Sequence, residues 1–248
     1  MRNIKMSIMY DGAGFGGWQR LGNQGSAPSV QGSLEEELSK ILGEPIKVIG
    51  SGRTDAGVHA YGQVANFHTK HNMPVTEIKR RLNEALYDKL AVTQVEEVPS
   101  KFHSRYDAVS KTYEFLIDTR EKANVFTRQY SVSVPEKLDL YKMKQAAEYL
   151  IGEHDFAGFS TDKRKDKNTV RKIYEIEIFF TGSMLHIIMN GNGFLYNMVR
   201  IIVGTLIEVG IGKRQPESIL DIIETKDRQL AGPTMSSQGL FLKQVFYV

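Results

Sequence analysis

The hydrophobic pattern of the first hundred residues predicts strands and helices in a recognisable order. Apolar residues alternate where strands are predicted and recur at helical spacing where helices are predicted. The predicted elements are a strand over 3–10, a helix from Ser29, strands over 46–49 and 64–67, a helix over 76–87 and a strand over 90–98. This β-α-β-β-α-β order is typical of a ferredoxin-like, or RNP-like, unit.

The second part of the chain repeats this order of strands and helices, with additional elements. Its predicted elements are a strand over 112–117, a helix over 140–150, a hairpin that turns at Gly182, helices over 194–208 and 215–224, and a final strand over 239–247. We predict an α+β fold of two βαββαβ halves, residues 1–105 and 106–248. Their sheets are expected to join into one largely antiparallel sheet, with helices on one face and an active cleft between the halves.

A glycine-framed loop between the strands over 46–49 and 64–67 holds the first candidate functional residues. Gly50, Gly52 and Gly57 surround Arg53 and Asp55. Glycine permits backbone angles and close approaches that other residues resist. The pattern therefore indicates a loop built to hold the arginine and the aspartate in a defined position. The alternative is an ordinary turn, since Gly, Ser, Thr and Asp are common turn residues.

Composition limits the classes of function. The chain has 248 residues, a hydrophobic content of 41%, a net charge of +3 and no cysteine. The absence of cysteine excludes disulfides, cysteine-ligated zinc and a thiol nucleophile. The first residues lack the apolar core of a signal peptide, and the longest apolar run of the C-terminal half is broken by Asn197 and Arg200. We therefore expect a cytoplasmic protein without a membrane span.

Two patterns suggest sites that we do not favour. Gly12, Gly14 and Gly17 form a G-x-G-x-x-G pattern, but a dinucleotide site requires a helix directly after it, and Gly22, Gly25 and Pro28 intervene. His59 suggests a metal ligand or a general base, yet no second histidine or carboxylate cluster lies at ligand spacing. A structural histidine is the preferred interpretation, and no metal is predicted.

Arg200 is notable for its surroundings in the sequence. Between Phe180 and Ile207 it is the only Asp, Glu, Lys or Arg, and its predicted helix is apolar on nearly every side. A helix that is hydrophobic all round is buried, and a buried guanidinium requires a partner. We predict a buried Arg200 that forms an ion pair with Asp55. The alternative is an arginine that reaches the surface at the edge of the helix.

The loop resembles the catalytic loop of the tRNA pseudouridine synthase A family. Further blocks match that family in order along nearly the whole chain. These blocks are Tyr10-Asp11-Gly12 with Gly17-Trp18-Gln19, Ser29–Glu35, Phe102–Ala108 with Lys111-Thr112-Tyr113, Gly191–Arg200 and Ala231–Thr234. Two departures are Tyr106, where the family has phenylalanine, and the segment 161–168, which is richer in lysine than the family pattern.

The resemblance implies specific roles and a specific reaction. Asp55 corresponds to the catalytic aspartate, and Arg200 to a basic residue that pairs with it. Tyr113 corresponds to a tyrosine that stacks on the target base and assists proton removal, and Arg53 to an arginine that helps to extract the nucleotide. The implied activity is conversion of uridine to pseudouridine at positions 38 to 40 of the tRNA anticodon stem-loop, without a cofactor, by a homodimer that holds tRNA across both subunits.

Basic clusters add modest support for RNA binding. A net charge of +3 does not by itself indicate a nucleic-acid partner, because patches matter more than totals. Lys79, Arg80, Arg164, Lys165 and Lys167 are expected to contact tRNA phosphates, although each cluster alone is typical of a solvated surface.

Two other functions compete with the synthase. One is an RNA-binding module without catalysis, against which Asp55, Tyr113 and Arg200 argue together. The other is a nucleotide-dependent oxidoreductase, against which the missing helix after Gly17 argues.

Overall fold

The structure is a computed structural model that describes residues 1–19, 27–88, 90–162 and 168–248. The strands are β1 (Arg2–Tyr10), β2 (Val48–Gly50), β3 (His59–Thr69), β4 (Leu90–Val98), β5 (Ala108–Asp118), β6 (Val132–Ser133), β7 (Gly152–Asp155), β8 (Val170–Thr181), β9 (Met184–Gly191) and β10 (Leu240–Tyr247). The α-helices are α1 (Val30–Leu42), α2 (Val75–Ala85), α3 (Leu140–Glu148), α4 (Met198–Gly210) and α5 (Ser218–Thr225). Helices combined with mostly antiparallel strands confirm the predicted α+β class.

The chain divides into two compact units. Unit 1 comprises residues 1–109 and 241–248, and unit 2 comprises residues 110–240. In unit 1 the strands lie in the order β4-β1-β3-β10, with β2 paired to β3. Strand β1 is antiparallel to both β3 and β4. The predicted β-α-β-β-α-β order is confirmed for residues 2–98.

The local sequence explains the first strand and the first helix. In β1 the alternate residues Ile4, Met6 and Ile8 are fully buried, as a half-buried strand requires. Helix α1 starts after Ser29, whose side chain accepts a hydrogen bond from the Gly32 N–H. It ends at Gly43 in the left-handed conformation, with φ of 67°.

Unit 2 contains strands that pair antiparallel with their neighbours. Its strands lie in the order β5-β9-β8-β7, and the predicted hairpin of β8 and β9 is confirmed. Helix α3 packs against α4 and β8. The short strands β6 and β7 were not predicted. With two and four residues they are too short to show an alternating pattern.

Helix α4 begins later than the sequence predicts. The predicted start at Phe194 is wrong, because Asn197 adopts the left-handed conformation with φ of 61° and interrupts the helical path. From Met198 onward nearly every residue is buried, so the expectation of a buried helix is confirmed. None of the helices in the described ranges has the length and apolar character needed to cross a membrane.

Strand β10 lies beside β3 in unit 1. The two strands run parallel, with Phe241 opposite His59 and Leu242 opposite Ala60. The sequence-based division assigned this final strand to the C-terminal half, 106–248. Its hydrogen bonds to β3 instead bring the last residues of the chain to the strand that follows the glycine-framed loop.

A buried carboxylate organises the chain that follows β5. Asp118 is fully buried and accepts hydrogen bonds from Arg120 Nε at 2.8 Å and from Arg120 Nη2 at 2.7 Å. The backbone N–H of Asn124 donates to the same carboxylate at 3.1 Å. The hydrogen bonds from Arg120 are the main cause that lowers the pKa of Asp118 to about 2. The ionised carboxylate therefore stabilises the native state.

We expect Asp118→Asn to lower the free energy of unfolding at pH 7 by about 2 kcal/mol, because charge-assisted hydrogen bonds are lost. The folded-state pKa lies below the value of about 3.9 in unfolded chains, so this stabilisation is present above pH 4 and is lost as the pH falls toward 2. Urea unfolding at pH 7 and thermal melts down to pH 3 should show the difference between variant and wild type shrinking. Asp221→Asn, at an exposed position of α5, is the control. A difference that is constant with pH would contradict the assignment.

Candidate active site

The glycine-framed loop, Gly50–Val58, connects β2 and β3 as the sequence predicts. Its first part is tied to β3 by a hydrogen bond from the Ser51 N–H to the Val64 carbonyl at 2.7 Å. Its second part closes a turn through a hydrogen bond from the Val58 N–H to the Asp55 carbonyl at 3.1 Å. Gly57 has φ of 76°, a conformation that favours glycine. The backbone on both sides of Asp55 is therefore held by hydrogen bonds.

The glycine-rich segment 11–18 packs directly against this loop. A Cβ atom on Gly12 would lie 2.1 Å from the Val58 carbonyl oxygen, so only glycine fits there. Gly17 has φ of 98°, and the next residue, Trp18, donates its N–H to the Thr54 carbonyl at 3.0 Å. The pattern that resembles a dinucleotide motif thus supports the loop. The first part of the pattern, Gly12–Gly14, forms a short 3₁₀ turn.

Buried polar side chains form a second layer of support. The Tyr10 hydroxyl and Thr54 Oγ1 are 2.8 Å apart, and burial is the main cause that raises the pKa of Tyr10 to about 12. Ser51 donates through Oγ to Gln63 Oε1 at 2.7 Å, while Gln63 Nε2 donates to the Gly52 carbonyl at 3.2 Å. These contacts satisfy polar groups that burial would otherwise leave unpaired.

Asp55 and Arg53 occupy the outer side of the loop. The residue between them, Thr54, is buried, whereas Asp55 is half-buried and Arg53 is exposed. A half-buried carboxylate on a fixed backbone can approach a ligand while it is partly shielded from water. The exposed guanidinium nearby can contact an anionic group such as a phosphate.

His59 is a buried part of the same support. Its Nδ1 lies 3.0 Å from the Gly12 nitrogen and 3.0 Å from Asp11 Oδ1. Its ring stacks on Phe241, with ring centroids 4.7 Å apart. In the described part of the chain, no cluster of three or more metal-ligating His, Asp or Glu side chains exists. These contacts favour the structural interpretation of His59.

Two candidate residues belong to unit 2. Tyr113 lies in β5, is 9% exposed and meets Phe194 edge to face, with ring centroids 5.2 Å apart. Arg200 lies in the first turn of α4. It donates through Nε to the Met235 carbonyl at 2.5 Å and through Nη1 to Asn197 Oδ1 at 2.8 Å.

The burial of Arg200 differs from the prediction. Its helical neighbours are buried, but Arg200 itself is half-buried, because it lies in the first turn, where the interrupted chain opens to solvent. Arg200 is therefore less buried than the sequence predicted. The ion pair with Asp55, which belongs to unit 1, stays a prediction.

The candidate phosphate-binding cations have different surroundings. Lys79 donates through Nζ to the Thr93 carbonyl at 2.6 Å, and Arg80 pairs with Glu77 at 2.7 Å and with Glu84. These contacts neutralise part of the charge of α2, and RNA binding by the two cations stays a prediction. The predicted contacts of Arg164, Lys165 and Lys167 lie outside the described residues.

Several supporting residues were missed in the sequence. Tyr10, Trp18 and Gln63 all contact the loop. Tyr10 and Trp18 lie in sequence blocks that match the family, and no other feature of the sequence distinguished them. Gln63 had no comparable signal, because a single glutamine in a strand is common. Their importance depends on non-local contacts that the pattern of residues does not reveal.

Comparison with known proteins relates the chain to one family. The sequence model of the tRNA pseudouridine synthase family matches residues 6–107 and 146–248. The chain is 45% identical over 245 residues to a "tRNA pseudouridine synthase A 2" of Bacillus cereus, covering 99% of each chain. It is 46% identical over 247 residues to "tRNA pseudouridine synthase A" of Bacillus sp. (strain KSM-64), covering 100% of each.

Solved structures provide a much weaker likeness. A crystal structure of a Cbf5-Nop10-Gar1 complex matches 82% of this chain and 45% of that chain, at 14% identity and a TM-score of 0.37. This likeness is too low to support a structural or functional argument.

The close packing of Gly12 can be tested against Gly14 in the same segment. We expect Gly12→Ala to lower the free energy of unfolding by about 2 kcal/mol, because the new methyl group overlaps the Val58 carbonyl. Gly14→Ala should be nearly neutral, because no atom lies within 4 Å of its Cβ position. Urea unfolding of both variants measures the difference. Equal stability of the two variants would contradict the close approach.

Proposed function

Because the chain belongs to the tRNA pseudouridine synthase family, we propose that it converts the uridines at positions 38, 39 and 40 of the tRNA anticodon stem-loop to pseudouridine, with Asp55 as the catalytic residue. Membership of this family makes the chain an isomerase that acts on uridine in tRNA. The proposed positions 38, 39 and 40 of the tRNA follow from the resemblance of the sequence blocks to this family. The roles proposed for the residues come from the same resemblance, and the geometry of the loop supports the role of Asp55.

One observation carries the assignment of Asp55. The half-buried carboxylate lies on a loop whose backbone is held by β3, by the glycine-rich segment and by buried side chains. Catalytic groups must be kept close to their productive geometry, and loops achieve this only with such support. A surface turn without function would not need support from three directions.

The reaction rearranges bonds within one nucleotide. The bond between ribose C1′ and uracil N1 breaks, the base turns, and a bond forms between C1′ and C5 of the base. The hydrogen on C5 then leaves as a proton, and N1 takes up a proton. The reaction involves no net oxidation or reduction, so we propose no cofactor. Asp55 acts either as a nucleophile on the sugar or as a base that removes a sugar proton. Both routes require the ionised carboxylate.

The other candidate residues are proposed to act on the same nucleotide. A uridine in a stacked stem must leave the stack before its sugar and base edge can be reached. The exposed Arg53 is suited to hold the backbone or to fill the space of the extruded nucleotide. Tyr113 supplies an aromatic face for the base and a hydroxyl for transfer of the C5 proton. Arg200 is proposed to hold Asp55 ionised, since arginine keeps its proton.

We propose further contacts with tRNA from the positive charge of basic side chains and from the family resemblance. Lys79, Arg80, Arg164, Lys165 and Lys167 are candidates for phosphate contacts, which release counterions and make affinity dependent on salt. We also propose a homodimer that holds one tRNA across both subunits, and a cytoplasmic location, where tRNA is found. Light scattering of the purified protein tests the homodimer.

We expect Asp55→Asn to abolish turnover while it preserves folding and tRNA binding, because the amide removes the charge and changes little else. Release of tritium from tRNA labelled at uracil C5 reports the reaction, since isomerisation frees that hydrogen. Asp221→Asn, at an exposed position of α5, is the control. A substantial residual rate in Asp55→Asn would remove Asp55 from the catalytic role. Wild-type protein that binds tRNA without releasing tritium would instead indicate a binding module without catalysis.

Arg200→Leu tests the proposed ion pair. If Arg200 holds Asp55 ionised, the rate at neutral pH should fall at least about 100-fold, and activity should partly return at higher pH, where an unpaired carboxylate ionises. Arg200→Lys keeps the charge and should retain the wild-type pH profile. Melting curves of Asp55→Asn, Arg200→Leu and the double variant should be non-additive.

A purely structural role for Arg200 gives a different result. Loss of its hydrogen bonds to Met235 and Asn197 would then lower stability without moving the pH profile. Strict additivity with Asp55→Asn would also refute the pair.

A further inference from the structure

The segment 231–235 of unit 2 lies along the first half of helix α4. The Gly232 N–H donates to Thr205 Oγ1 at 2.9 Å. A Cβ atom on Gly204 would lie 2.0 Å from the carbonyl oxygen of Pro233, so the two backbones are in close contact. Protein interiors are densely packed, and a segment held this closely to a helix has little freedom to shift.

The end of this segment holds Arg200. The Met235 N–H donates to the Arg200 carbonyl at 3.3 Å, and Arg200 Nε donates to the Met235 carbonyl at 2.5 Å. Arg200 Nη1 also donates to Asn197 Oδ1 at 2.8 Å, so the guanidinium is held from two sides. The direction of the guanidinium therefore depends on where the segment places the Met235 carbonyl.

A second arginine, Arg228, is bound to the same segment. Its Nη2 donates to Thr234 Oγ1 at 3.1 Å, and its Nη1 donates to the Ala231 carbonyl at 3.3 Å. The planar guanidinium presents several donors in a fixed arrangement, so one side chain can join both ends of a short turn. Because Thr234 directly precedes Met235, the two arginines hold consecutive residues of the segment.

The surroundings of Arg228 make it a poor contributor to stability. Both of its hydrogen bonds are longer than the typical N–H···O distance of about 2.9 Å. Its Nε is buried and has no hydrogen-bond partner among the residues that the structure describes. Burial also lowers the pKa of the guanidinium. A buried donor without a partner costs free energy, so an uncharged side chain of similar length would serve stability as well.

We propose that Arg228 is a positioning residue for the reaction, which orients the Arg200 guanidinium without touching the substrate. Its hydrogen bond to Thr234 sets the place of the neighbouring Met235 carbonyl, and that carbonyl accepts from Arg200. This inference rests on the proposed function, in which Arg200 keeps the catalytic Asp55 ionised. Loss of Arg228 leaves Arg200 in place but allows its guanidinium to turn, so the rate falls while the fold remains.

Arg228→Met removes the hydrogen bonds and keeps the length of the side chain. We expect the single-turnover rate at saturating tRNA, measured by tritium release, to fall about 10-fold, because small displacements of a catalytic group are costly. The affinity for tRNA and the melting temperature should stay close to wild type. Weaker binding with an unchanged rate would indicate a direct RNA contact, and a lower melting temperature with an unchanged rate would indicate a structural role. Either result would overturn the proposal.

Arg214 provides a matched control, because it joins the same stretch of chain to the far end of α4. It donates through Nη1 to the Leu230 carbonyl at 2.7 Å and pairs with Glu208 at 2.5 Å. Arg214→Met leaves a half-buried carboxylate without this partner, so the melting temperature should fall while the rate stays at the wild-type value. An equal loss of rate in Arg214→Met and Arg228→Met would contradict the proposal.

Further variants test the path from Arg228 to Arg200. Thr234→Val removes the hydroxyl from a side chain of the same shape and should lower the rate as Arg228→Met does, whereas Thr234→Ser keeps the hydroxyl and should behave like wild type. In the Arg200→Leu background, Arg228→Met should cause no further loss of rate, because the group that it positions is gone. Additive losses in this background would refute the path alone. Absence of tritium release by wild-type protein would refute the proposed function and this inference with it.

Discussion

The close approach of two backbones is the constraint on which the candidate active site depends. The glycine-rich segment lies so near the loop of Asp55 that Gly12 has no room for a Cβ atom beside the Val58 carbonyl. The Trp18 N–H reaches the Thr54 carbonyl across the same contact. Protein interiors are packed too densely for such a contact to be loosened without cost. The position of Asp55 is therefore determined by a segment about forty residues earlier in the chain.

The polar groups beneath the loop give this packing its specificity. Tyr10, Ser51 and Gln63 are buried and hydrogen-bonded to the loop or to one another. A buried polar group that loses its partner costs free energy, so alternative positions of the loop are disfavoured. The result is a rigid base that presents a half-buried carboxylate.

Arg200 shows what a charge pattern in the sequence can predict and what it cannot. Its isolation in an apolar stretch correctly indicated an unusual arginine in a buried helix. It did not reveal that Asn197 interrupts the chain just before the helix and accepts a hydrogen bond from the guanidinium. The left-handed conformation of one residue moved the start of the helix and left Arg200 half-buried in its first turn. Burial of a helix as a whole does not decide the exposure of its terminal residues.

Local patterns in the sequence determined most of the elements, because alternation, helical spacing and caps such as Ser29 and Gly43 act over a few residues. Ordered matches to one family also identified the loop with Asp55 and the activity of the chain. Tertiary structure alone decided that β10 pairs with β3, that Gly12 supports the loop, and that Phe241 stacks on His59. These features join residues far apart in the chain, and their energies depend on packing and hydrogen bonds that exist only after folding.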